Sequence, residues 1–144
     1  MDNQYRGLTI AVLISSCFIL IGAGHSVGPI ILFEVMFPFA SENKLSFSLS
    51  NNYDNSILAS ALILLTGQLL LFIATHKEHI ITRLIALFVM WIALLFLTHN
   101  IFNGDSLSEF SLGSATPFLI LSITLFSFDV KQYLQRDKID IEPE

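Results

Sequence analysis

Four side chains carry chemistry that apolar surroundings would make costly: His25, Glu34, Gln68 and His99. Each lies within or beside a long uncharged stretch. An imidazole can ligate a metal or exchange a proton, and a carboxylate or amide in lipid marks a site or a helix contact. On a helix begun at Leu8, His25 lies about 26 Å up; on one begun at Leu84, His99 lies about 22 Å up. Asn100 and Asn103 follow His99, and Glu34 follows the first apolar stretch on the same outer side. This predicts a polar pocket that opens outward between helices, with His25, Glu34, Gln68, His99 and Asn100 as its ligand-binding residues.

Three chemistries suit that set. His25 and His99 could jointly ligate a metal or a haem, since imidazole suits zinc, copper and iron. A third ligand would then have to be Glu34 or an amide. On a straight helix Glu34 points about 180° away from His25, so only a bend at Pro29 brings the two together. His25 and Glu34 could instead exchange protons, as both change charge state when partly buried. Alternatively, the pocket could hold a lipid, a quinone or another amphipathic ligand. Gln68, twelve positions into its stretch, is the deepest strongly polar residue and is expected to bond across helices.

The run G-A-G-H-S-V-G-P at 22–29 holds two small-residue pairs at helical spacing, Gly24 with Gly28 and Gly22 with Ser26. Read as helix, these four residues let a neighbour approach closely, and Pro29 frees the carbonyl of residue 25. His76 and His79 share H-x-x-H spacing without a nearby carboxylate cluster and read as a solvated basic corner. Trp91 lies midway along its stretch and reads as bundle core or a lipid-facing filler.

The elements that must position these residues follow from hydropathy. Apolar residues make up 53% of the 144 and charged residues 13%, about half the share usual in soluble proteins. Mean hydropathy is +0.70. About 20 helical residues cross a bilayer, and four stretches qualify: 7–33, 56–75, 84–102 and 110–128. Strands are not expected, because barrel strands alternate strictly over about 10 residues. The fold class is therefore an all-α membrane protein, a four-transmembrane-helix bundle forming one domain over 1–144.

Arg6, Lys77, Arg83, Lys131, Arg136 and Lys138 flank one side of these stretches, while only Lys44 lies on the other. Both termini should face the cytoplasm of an inner (plasma) membrane. The outer loop 34–55 begins apolar, so it is expected to lie partly in the interface, with Phe33, Phe37 and Phe39 inserted after a bend near Pro29. The tail 129–144 is polar. Cys17 ends an I-S-S-C run and 22–24 reads G-A-G, so cleavage at either point is an alternative to a four-pass chain.

Several classes are excluded or disfavoured. A net charge of −5 without a basic patch leaves no footprint for nucleic acid. A single cysteine excludes an intrachain disulfide framework. Phosphate-cradling glycine loops and H-E-x-x-H are missing from the sequence. The reading that remains is a binding or accessory protein in the lipid bilayer, self-associating or packed on a membrane partner. A metal- or haem-using redox enzyme and a small proton-coupled transporter are the alternatives.

Overall fold

A computed structural model describes residues 3–23, 26–36, 53–77 and 79–141. They are mostly helical: α1 (Asn3–Cys17), α2 (Ile31–Met36), α3 (Tyr53–Lys77), α4 (Ile80–Leu97), α5 (Ser106–Ser114) and α6 (Thr116–Ile141). A two-stranded antiparallel hairpin, β1 (Leu20–Ala23) with β2 (Ser26–Pro29), separates α1 from α2. A 3-10 turn, His99–Asn103, follows α4.

Two helical stretches, Ser56–Lys77 and Ile80–Asn103, are long and apolar enough to cross a membrane. The pair α5–α6, bent by 51° at Ala115, makes a third if it counts as one span. The single straight crossing expected over 110–128 is thus broken. Pro117 has no N–H to offer the preceding turn, and the Thr116 hydroxyl donates to the Gly113 carbonyl at 2.8 Å in its place.

The first stretch departs furthest from expectation. A single helix over 7–33 does not form: α1 stops at Cys17, and Leu20–Ala23 pairs antiparallel with Ser26–Pro29. Three glycines and a proline fall within ten residues here. In a helix each glycine costs about 1 kcal/mol and the proline about 3. As strands the same residues are tolerated, with Pro29 at the strand end, where a missing donor does least harm. The break therefore comes about a dozen residues before the expected bend at Pro29.

Exposed strand edges need partners when buried in protein or lipid. Ser114 supplies one, accepting from Leu20 N at 2.9 Å and donating to Leu20 O at 3.1 Å. Ile30 N donates to Ile19 O at 2.8 Å and closes the ladder at its base.

α3 and α4 form the expected antiparallel hairpin and the most extensive contact in the molecule. It depends on Gly67: a Cβ there would fall 2.5 Å from Met90 Cγ and 3.2 Å from the Ala86 carbonyl oxygen. On α4 the buried side chains Arg83, Ala86, Leu87, Met90, Ala93, Leu94 and Leu97 form one helical stripe. Ile81, Ile85, Phe88, Ile92 and Leu95 are exposed on the opposite face. Both faces are apolar, and the inward one has the smaller residues and the only charge.

Candidate functional site

The polar groups of the core gather at three levels. At one end, Arg83 at the start of α4 and Asp129 on α6 form a buried ion pair, 1% and 0% exposed. The guanidinium reaches both carboxylate oxygens, with Nε donating to Oδ2 at 3.2 Å. The Tyr5 ring of α1 lies 5.8 Å from the guanidinium carbon and meets Phe128 edge-on at 5.9 Å. The starts of α1 and α4 and the middle of α6 therefore sit at the same end.

At the other end, the Tyr53 hydroxyl lies 2.5 Å from the Ser111 hydroxyl, and Ser114 holds the hairpin edge. Between the ends, Trp91 Nε1 donates to Ser122 Oγ at 2.9 Å and ties α4 to α6. The indole is a half-buried interhelical donor that also packs against Phe126.

The middle level is the candidate site. Gln68, buried in the interior of α3, donates through Nε2 to Ser16 Oγ of α1 and to Glu34 Oε1 of α2, each at 3.1 Å. Cys17 Sγ lies 3.8 Å from the same nitrogen. The Ser16 hydroxyl in turn donates to the Leu13 carbonyl at 2.8 Å. Glu34 is 5% exposed, and its partner among the described residues is this neutral amide. The three groups come from three elements: the last turn of α1, the short helix α2 and the interior of α3.

The local sequence explains this convergence. The hairpin uses up ten residues without advancing along the bundle, so Ile30 returns to Ile19 and α2 starts beside the end of α1. Glu34, four residues into α2, then reaches Gln68. The expectation that Glu34 sits at the outer interface is thus corrected: it lies at the depth of Gln68, because the chain doubles back. A straight or gently bent helix would have carried it past the end of α3.

Of the expected site residues, Glu34 and Gln68 are brought together. His99 and Asn100 lie on the 3-10 turn beyond α4, where His99 Nδ1 is 2.7 Å from the Phe96 carbonyl and Asn100 accepts from Asn103 at 3.3 Å. His25 and Gly24 lie outside the described residues, as does 37–52 with Phe37 and Phe39. The approach of His25 to His99 is therefore not tested. Phe33 is partly buried against the core.

The helix-packing set is corrected as well. Gly22 and Gly28 are strand residues, with Ile21 paired to Gly28 and Gly22 to Val27, so helical spacing does not apply. Ser26 pairs with Ala23 in the same ladder. Gly22 still serves a close approach, of another kind: a Cβ there would fall 2.7 Å from Leu107 Cδ2 of α5.

Sequence reasoning missed Ser16 as a partner of Gln68 and missed the Arg83–Asp129 pair. Arg83 did carry a signal, since it continues the stripe 86, 87, 90, 94, 97 of smaller apolar residues on α4. Among the described residues, no three His, Cys, Asp or Glu side chains group as metal ligands. A crevice beside the hairpin, lined by Ile19, Ile30, Ser60, Leu64, Ala93 and Leu97, is apolar and too narrow for a water molecule. No protein family, curated protein or solved structure matches the chain.

Proposed function

We propose that this chain is a small integral membrane binding or accessory protein of the inner membrane, with both termini cytoplasmic. Its working site is the Glu34–Gln68–Ser16 cluster. The first of four passes would be composite, made of α1 and the hairpin; α3, α4 and the bent α5–α6 pair make the others. One observation carries the reading: ionisable and amide side chains are buried within an apolar core whose outer surface is apolar as well. Glu34, Gln68, Arg83 and Asp129 are buried, while Ile81, Ile85, Phe88, Leu95 and Ile120 face outward. Water would not favour that arrangement, whereas a bilayer does, since ionisable residues within it turn inward and pair.

The Glu34–Gln68 contact supports a site in the middle of the bundle rather than near His25 and His99. A lipid, quinone or other amphipathic ligand would engage Gln68 and Glu34 through its polar head. A proton-coupled role is the second reading, favoured because the carboxylate sits at the depth where transporters bind their coupling ions.

The test is alkaline carbonate extraction followed by native mass spectrometry from detergent. Retention in the membrane pellet and a discrete adduct of lipid or quinone mass, lost in Gln68→Leu, support the binding reading. Release by carbonate overturns the membrane placement. A metal or haem adduct would favour a redox site at His25 and His99, and a bare species in a defined oligomer would favour an accessory packing role.

A further inference from the structure

We propose that Glu34, Gln68 and Ser16 form a membrane-buried proton-binding site, in which Glu34 takes the proton and Gln68 clasps its other oxygen. The proposal rests on the membrane placement above and names the ligand of that same site.

A carboxylate this deep in apolar surroundings needs either a cation or a proton, because an isolated buried charge is far too costly. Among the described residues the buried cation, Arg83, is engaged by Asp129. The main neighbours of α2 among the described residues are α3 and β2. α3 presents the neutral Gln68 and carries Asp54, His76 and Lys77 only near its ends, while β2 has no titratable side chain. From α1 the titratable neighbour is Cys17, reached through Gln68. A metal cation fits poorly, since hard divalent ions take six or more oxygens in most sites and this cluster offers fewer.

The donor count gives the site its polarity. A primary amide nitrogen has two hydrogens, and Gln68 points one at Ser16 Oγ and the other at Glu34 Oε1. The Ser16 hydrogen is committed to Leu13 O. Glu34 Oε1 therefore acts as a carbonyl-type acceptor, and the proton goes to Oε2. Binding the proton makes the acid neutral and seats α2 against α3. Releasing it leaves a carboxylate with no counter-charge among the described residues, which drives α2 off α3. Proton occupancy and the position of α2 are thus coupled.

Infrared spectroscopy of the full chain in lipid nanodiscs tests this directly. The wild type should show a carboxylic-acid carbonyl band that vanishes reversibly as pH rises and is missing from Glu34→Gln. In Gln68→Leu the band should move to higher frequency, because its carbonyl oxygen loses a donor. If Glu34→Gln does not fold, the titrating band and its shift in Gln68→Leu carry the test alone. No titrating band at any pH, a band that survives in Glu34→Gln, or one removed by sodium or potassium at fixed pH would each overturn the proposal. Failure of the two readings is distinguishable: carbonate release removes the membrane placement, whereas membrane retention without the band removes only the proton site.

Discussion

Arg83 and Asp129 show how the protein interior accommodates charge. Each alone would be very costly to bury; together they satisfy one another and bring α1, α4 and α6 to a common point through Tyr5. Removing one partner leaves an uncompensated buried charge, which costs about 3–5 kcal/mol. Asp129→Ala should therefore destabilise the protein by about that much in a detergent unfolding titration. The double replacement Arg83→Met with Asp129→Leu should recover most of the loss, because apolar residues of similar size replace such pairs at little cost. If the double variant is no better than the single one, the pair is not what holds these helices. Trp91→Phe removes a single interhelical donor and leaves Ser122 a local acceptor at Leu119, so about 0.6–2 kcal/mol is expected. At this scale the sequence was half legible. Gln68 stood out because it is the deepest polar group in an uncharged run; its partners did not, because hydropathy says where a polar residue lies and not what turns toward it.

At the scale of elements, the hairpin is the feature that hydropathy could not show. A run such as L-I-G-A-G-H-S-V-G-P is as apolar as a helix needs, yet its backbone preferences point elsewhere. Summed glycine and proline costs were the available signal, and small-residue spacing drew the reading toward helix packing instead. The glycine that does set a helix crossing is Gly67, isolated in an ordinary-looking stretch, where a contact distance and not a motif reveals it. Gly67→Val would push against Met90 and the Ala86 carbonyl, and α3 and α4 would have to separate. Overpacking of this kind costs about 1–3 kcal/mol, so a fall in thermal midpoint is expected by circular dichroism. Pairing it with Met90→Ala should restore part of the loss, since that side chain makes the closest contact; the Ala86 backbone stays in place and keeps the remainder. No rescue would mean that the backbone contact alone sets the helix separation.

For the whole molecule, composition made the long apolar helices legible and the basic flanks suggested an orientation, but neither could count crossings where helices break. The structure puts Tyr5, Arg83 and Asp129 at one end and Tyr53, Ser111 and Leu20 at the other. Lys131 lies beyond Asp129 toward the first of these ends, the one proposed above to be cytoplasmic. From Thr116 to Asp129, α6 rises only about 20 Å, short of the roughly 30 Å of a bilayer, and α5 and α6 qualify as a span only when taken together. Bent by 51°, α5 then supplies the outer part of that crossing, with Ser106 at its exposed start. In a Cys17→Ser background, single cysteines at Ser106 and Lys131 should therefore react on opposite sides. An impermeant maleimide applied to intact spheroplasts should label position 106, and position 131 should label only after permeabilisation. The reverse pattern would invert the orientation while keeping the crossing. Labelling of both from one side would show α5–α6 to be re-entrant, and Asp129 would then meet Arg83 without α6 passing through the membrane.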